Sequence, residues 1–473
     1  MKRPTILCIF FLLFPLTSFA KSKLQLNNDT LIKILNKYSL KTSELSLVIE
    51  KEEGGRILSI NENQLMIPAS VTKVATALAV LNTLPLDTVW TTELQGNGKV
   101  ENGILKGDLC FKGGGDPGFV SESMWVLVQE FMRQQIHTIE GNIIYDRTRF
   151  DSEEVDKNRE AGRVDRAYDA PISALSFNWN AATIFVKPSK VGERPIVFTP
   201  PQSDYLMLDN KAITSPAQTK LTLDVSREQR GERDVILVRG QIPENLSEKV
   251  FYKSITNPGL WTATHLAQFL KKENVIVKGK IIVGSCAKEY SFKTLMPSKK
   301  LSEQIADMLK FSNNFVAEML VKNLAAVKNP NVPAEMEKGL AEIHQFLLSI
   351  GIKNQEFKIV NASGLSRENK LSSNVIIKLL NYAKDHGEFF PEFIQGLPIA
   401  GVDGTLKKRL AGEHRGVVRA KTGYLDGISS LAGYIQSKKG EQYVFSFIYN
   451  GSYENALVAK NLYDELSKAV LNL

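Results

Sequence analysis

The chain is poor in cysteine and histidine, and it lacks the spacings by which those residues hold metals. Only three Cys and five His occur in 473 residues. Cys8 lies in an apolar N-terminal stretch, which leaves Cys110 and Cys286. There is no C-x-x-C. His137, His265, His344, His386 and His414 are scattered, with no H-E-x-x-H and no close pair, which argues against a zinc site. Gly113-Gly114-Gly115 lacks the G-K-[ST] of a phosphate loop and reads as a turn. No dense Lys/Arg stripe interleaved with aromatics occurs, so nucleic acid is not an expected partner. No repeat or low-complexity tract is evident, and nothing calls for a cofactor.

Long apolar runs are also missing after residue 20. "MKRPTILCIFFLLFPLTSFA" has Lys2 and Arg3, an apolar run and then Ser18-Phe19-Ala20. This is the pattern of a secretory signal with a small-x-small cleavage site, residues 1–20. The run is short for a membrane span, and charged sequence follows it. Cys8 sits inside the run rather than after a cleavage site, so a lipoprotein is not expected. The mature protein is therefore read as soluble and exported, periplasmic or otherwise outside the cytoplasmic membrane. Export would permit a disulfide between Cys110 and Cys286, and the sequence leaves open whether they approach. Loss of Lys2 and Arg3 takes the formal charge from +8 to +6. That mild excess suits peripheral contact with an anionic wall or membrane surface.

What is present is an ordinary globular composition, 43% hydrophobic and 23% charged. Helix and strand signals alternate over residues 24–90, from the amphipathic "LQLNNDTLIKILNKY" to two strands around a Gly-Gly turn. From about residue 92 the texture becomes short strands punctuated by Gly. "REQRGERD", 227–234, reads as a solvated hairpin tip. After about residue 295 helices return, then strands, then the amphipathic "ENALVAKNLYDELSKAVLNL", which reads as packing on a sheet rather than as a membrane anchor. The expected architecture is a mixed α/β (α+β) domain built from 21–95 and 291–473. An inserted strand-rich region, 96–290, would form two subdomains.

"PASVTKVATALAVL", 68–81, places Lys73 among residues that otherwise read as a buried helix. Burying a lysine costs several kcal/mol unless it is paired or neutral. S-x-x-K occurs at Ser18–Lys21, Ser70–Lys73 and Ser285–Lys288, and only the second opens an apolar helix. There, residues i and i+3 share one face, with the serine at a helix N-terminus where developing negative charge is favoured. A neutral lysine one turn on could take the serine proton if burial and a second cation lowered its pKa. K-T-G occurs once, at Lys421-Thr422-Gly423 before Tyr424. A lysine on a strand edge can hold a carboxylate, and Gly423 allows close backbone approach. S-x-N occurs at Ser59, Ser176, Ser312 and Ser372, and only Ser312 falls at a helix–helix junction.

Ordered S-x-x-K, S-x-N and K-T-G are the signature of penicillin-binding proteins and serine β-lactamases. "PASVTKVATALAVL", "LKFSNNFVAEML", "VNASGLSREN", "LPIAGVDGTLKKRL" and "VRAKTGYLDGISSLAGYI" resemble the D-alanyl-D-alanine carboxypeptidase/endopeptidase group of low-molecular-mass penicillin-binding proteins. A long insertion between the first two motifs is that group's mark, and a compact β-lactamase lacks it. The resemblance implies Ser70 as acylated nucleophile and Lys73 as its base. It implies Ser312 in proton transfer and Asn314 holding Lys73 and the substrate amide. Lys421 would bind the terminal carboxylate, with Thr422 and Gly423 lining the substrate strand. Backbone N–H groups of Ser70 and Tyr424 would form the oxyanion hole. Tyr424 departs from the Ser or Thr that often follows K-T-G. Peptidoglycan stem peptides are the implied substrates and β-lactam antibiotics the implied inhibitors, with no cofactor. The rivals are a β-lactamase and a non-catalytic wall-binding scaffold.

Overall fold

In the computed structural model, residues 25–26, 29–52, 54–159 and 165–473 are described. The signal sequence expected at 1–20 lies outside them. Both chain ends build one sheet, in the strand order Gln25–Leu26, Arg56–Ile60, Leu45–Lys51, Gln442–Asn450, Ile428–Gln436, Val418–Leu425. All neighbours are antiparallel, and Leu47 pairs with Phe447.

The sequence of the strand Gln442–Asn450 explains why the sheet is covered on both sides. "QYVFSFIYN" carries apolar residues on both faces, so neither can be left to water. Phe445, Phe447 and Tyr449 join Leu47 and Ile49 in a core with the C-terminal helix Tyr453–Leu471. Val444 and Ile448 face the other way, with Val48, against the helices Thr72–Thr83, Asn314–Lys328 and Ser373–Asp385. The C-terminal helix is thus a sheet-packing element, started by Ser452, whose Oγ accepts from Asn455 N at 3.2 Å. No helix among the described residues is long and apolar enough to cross a membrane.

The inserted region closes on itself. Its first strand, Thr91–Glu101, pairs antiparallel with its last, Phe292–Pro297, so that Thr91 lies opposite Pro297. The expected limits of 96 and 290 fall inside the first of these strands and just before the last. Texture marks where glycines begin, whereas pairing marks where the unit begins. Helices Ser121–Met132 and Pro258–Lys272 pack with a seven-stranded sheet. Smaller sheets follow, including one ordered Lys249–Ser254, Ala181–Lys187, Ile196–Phe198. One apolar core runs through all of them, with Trp261 between Phe177 and Tyr205. The two expected subdomains therefore share a core.

Two local expectations change. Gly113 and Gly114 are not a free turn. An added Cβ at Gly113 would lie 2.4 Å from the Ala174 backbone, and one at Gly114 would lie 2.0 Å from Thr91 O. The hairpin around Gly231 exists, but "REQRGERD" is solvated only at its tip. Arg227 and Asp234 form a buried ion pair, and Asp234 also accepts from Tyr205 Oη at 3.0 Å and Thr256 N at 2.8 Å. Alternating charge hid the inward register.

Cys110 and Cys286 are joined by a disulfide across 176 positions of sequence. Replacing both with Ala is expected to cost about 2–4 kcal/mol locally. Hydrogen exchange should show the loss at Ile104–Lys112 and Phe292–Pro297, while protection of Gln442–Asn450 stays as in the wild type.

Candidate active site

Ser70 sits in a strained turn at the start of a buried helix. Ala69 before it is in the left-handed region, φ +47°. Residues 69–71 form a 3-10 turn that runs directly into Thr72–Thr83. Lys73, one turn on from Ser70, is fully buried. Its Nζ lies 2.7 Å from Asn314 Oδ1, 2.6 Å from Ser363 O and 3.1 Å from Ser70 Oγ. Burial pulls its pKa down to about 7, against the opposing pull of the Glu318 charge.

The second wall comes from the junction of helices Leu301–Lys310 and Asn314–Lys328. Ser312 makes the break with φ +56°. Asn313 then caps the second helix, accepting from Val316 N at 3.2 Å. Asn314 is thereby fixed at the helix start. Its Oδ1 accepts from Lys73, and its Nδ2 donates to Tyr168 O at 3.2 Å.

The third wall is the edge strand Val418–Leu425. Alternation sends Lys421 and Gly423 inward and leaves Thr422 and Tyr424 toward solvent. Lys421 is fully buried, and its Nζ donates to Ser312 Oγ and Thr422 O, both at 2.8 Å. Burial, and then the positive charge of Lys73, hold its pKa well below that of an ordinary lysine. Gly423 cannot carry a side chain. A Cβ there would lie 2.1 Å from Ser430 Oγ, 2.6 Å from Pro68 O and 3.1 Å from Ser70 N. Thr422 Oγ1 lies 2.7 Å from Thr405 Oγ1. The Tyr424 ring is turned toward the C-terminal helix, with Lys460 Nζ 3.9 Å from its centre.

Ser70, Ser312, Asn314 and Tyr424 line one cleft of about 660 Å³, and Lys421 lies behind it, bonded to Ser312. Sequence reasoning missed several groups around it. Tyr168 and its neighbours Asp165, Arg166 and Asp169 come from the inserted region, and no spacing pointed to them. Arg367 and Asp426 complete a rim with charges of both signs. Behind Lys73 lies a buried polar network. Ser363 Oγ reaches Glu318 Oε1 at 3.1 Å and Asn361 Oδ1 at 2.8 Å, and Glu318 pairs with buried Arg159. Ser363 and Asn361 belong to "VNASGLSREN", so that string was the available signal.

Burial sets Lys73 and Lys421 apart from the surface lysines. In a lysine-labelled sample, NMR titration should give Lys73 a midpoint near 7, against about 10.4 for surface lysines. Glu318→Gln should move that midpoint lower.

Comparison with known proteins follows the same lines. The chain is 29% identical over 420 residues to a D-alanyl-D-alanine carboxypeptidase of Actinomadura sp. (strain R39), covering 86% of this chain and 77% of that protein. Its fold matches the crystal structure of penicillin binding protein 4 (dacB) from Haemophilus influenzae with a TM-score of 0.80 at 23% identity, over 94% of this chain and 99% of the other. The same Haemophilus protein complexed with a novel β-lactam matches with a TM-score of 0.74 at 23% identity, over 92% and 99%. Residues 27–472 match the D-Ala-D-Ala carboxypeptidase 3 (S13) family, and the chain belongs to that family.

Proposed function

We propose that the protein cleaves D-Ala-D-Ala, or a D-amino-acid cross-link, in peptidoglycan stem peptides through an acyl-enzyme on Ser70. The observation that carries this reading is the set of partners around Lys73. A neutral amine has two N–H bonds and one lone pair. The protonated amine can donate to Asn314 Oδ1, Ser363 O and Ser70 Oγ together, whereas the neutral amine, keeping the two shorter bonds to Asn314 and Ser363, turns its lone pair toward Ser70 Oγ. Lys73 is then poised to accept the serine proton.

In the proposed sequence the substrate carboxylate meets Lys421, beside Thr422. An anion there favours the protonated form of Lys421, and that cation favours a neutral Lys73. Ser70 Oγ attacks the carbonyl carbon as its proton passes to Lys73. Backbone N–H groups of Ser70 and Tyr424 hold the oxyanion, supported by the close packing of Gly423 on the Ser70 turn. The C–N bond breaks, and the proton reaches the departing amine through Ser312 Oγ. Water then hydrolyses the ester and restores Ser70. The β-lactam complex of the Haemophilus protein supports sensitivity to the same class of inhibitor. Export is part of the proposal, supported by the leader-like residues 1–20 and by the location of peptidoglycan outside the cytoplasmic membrane.

Intact mass before and after excess penicillin tests the reading. One long-lived adduct is expected on the wild type and none on Ser70→Ala. An adduct cleared within seconds would indicate a β-lactamase, and no adduct on the folded protein would indicate a scaffold. The acylation rate should rise with pH as Lys73 loses its proton. The slope should be about tenfold per pH unit well below 7, with a plateau above it. Lys73→Ala should slow acylation by about 10²–10⁴-fold.

A further inference from the structure

A second groove, of about 790 Å³, opens from the same cleft and shares Tyr168, Ser312 and Asn314 with it. Its character is different. The first cleft is rimmed by Asp165, Arg166, Arg367 and Asp426. The second is lined by Phe311, Trp179 and Tyr252, with Ser121, Ser123 and Thr183 between them. Its few charged groups are Glu122 and the mutually paired Lys299 and Asp307.

The three aromatic rings are 69%, 43% and 59% exposed, in the order Phe311, Trp179, Tyr252. Large rings left open to water around one groove mark a binding surface. Trp179 is displayed at a cost. Asn178, Trp179 and Asn180 are three consecutive residues in the left-handed region, at φ +50°, +54° and +51°. A bulky residue there is strained and persists only when its surroundings over-determine it. The flanking asparagines supply that restraint. Asn180 Nδ2 donates to Pro171 O and Ser176 Oγ, both at 2.9 Å, and Asn178 Oδ1 accepts from Ser121 N at 3.0 Å. A buried anchor on one side and a half-buried one on the other thus hold one outward-facing ring.

The platform continues beyond the groove. Tyr252 lies opposite Thr183 in the sheet, and one row further along Val250, Phe185 and Phe198 are in register. Alternation keeps this row on the same face as Tyr252, about 7 Å away. Val250 and Phe198 are exposed. The surface is therefore a strip rather than a single pocket.

We propose that this strip seats the aminosugar strand from which the stem peptide hangs, an inference that rests on the peptidoglycan reading above. A pyranose has an apolar C–H face and a hydroxyl edge, which match flat rings with Ser and Thr hydroxyls between them. A stem peptide carries carboxylates and an amine, which match the charged rim of the other cleft. The two ligand chemistries separate where the two grooves separate, at Tyr168 and Asn314. Asn314 Nδ2 holds the Tyr168 carbonyl, so a sugar against Tyr168 touches the segment that steadies the catalytic carboxamide.

The test compares two substrates that end in the same D-Ala-D-Ala. One is the free stem peptide, and the other is that peptide on its N-acetylglucosamine–N-acetylmuramic acid disaccharide. The wild type is expected to prefer the disaccharide form in kcat/KM. Trp179→Gly, which keeps the left-handed backbone, and Phe311→Ala should each reduce that preference, together by about tenfold. Turnover of the free peptide and the penicillin adduct should remain at wild-type levels, which also verifies folding. Equal losses on both substrates, or no loss on either, would overturn the sugar strip. Loss on a sugar-free cross-linked peptide would overturn it in favour of a peptide occupant. If the wild type turns over neither substrate, the peptidase reading itself fails.

Discussion

The burial of one amine among three oxygens is the constraint around which this structure is arranged. Lys73 Nζ is held by a carboxamide oxygen, a backbone carbonyl and the Ser70 hydroxyl. Each partner comes from a different part of the chain, and each is itself held. Asn314 is placed by the cap of its helix. Ser363 is fixed by the network running through Asn361, Glu318 and Arg159. Ser70 is set by a strained turn that Gly423 allows the edge strand to press against. Taking a lysine out of water is costly, so loosening any of these supports favours recharging the amine. The reactivity proposed for Ser70 thus depends on the packing as much as on the motif.

Much of the catalytic domain was legible in the sequence because its signals are local and redundant. S-x-x-K opens an unmistakably apolar helix, Ser312 falls between two helices, and Lys421 lies on an edge strand. The order of the three strings then pointed to one cleft. The inserted region was less legible. Tyr168 contributes through its backbone carbonyl, and any residue type would supply that oxygen. Asp165 and Arg166 look like surface charges until the fold brings them beside Arg367. Glu318 sits one helical turn beyond Asn314, where a carboxylate would ordinarily face water. The buried Arg159 that neutralises it is far away in sequence.

The same difference explains the two local corrections. Gly113 and Gly114 have the composition of a turn, but crossing backbones require their missing side chains. Arg227 and Asp234 have the composition of a solvated tip, but they point inward to Tyr205 and Thr256. Period and composition report what a segment tolerates. Which neighbour arrives is decided by pairing between distant strands, and that information is spread over the whole chain.

The pairing of Leu47 with Phe447 has a consequence in time. Proteins are made from the N-terminus, and units that close locally fold first. The inserted region closes through its own first and last strands and has its own core, so it can fold once residue 297 has emerged. The catalytic sheet cannot, because its strands Val418–Leu425, Ile428–Gln436 and Gln442–Asn450 all follow the insertion in sequence. Ser70 emerges early but waits without Lys421 or the Gly423 contact until those strands have been made. The site proposed around Ser70 is therefore assembled late, around an insertion already in place.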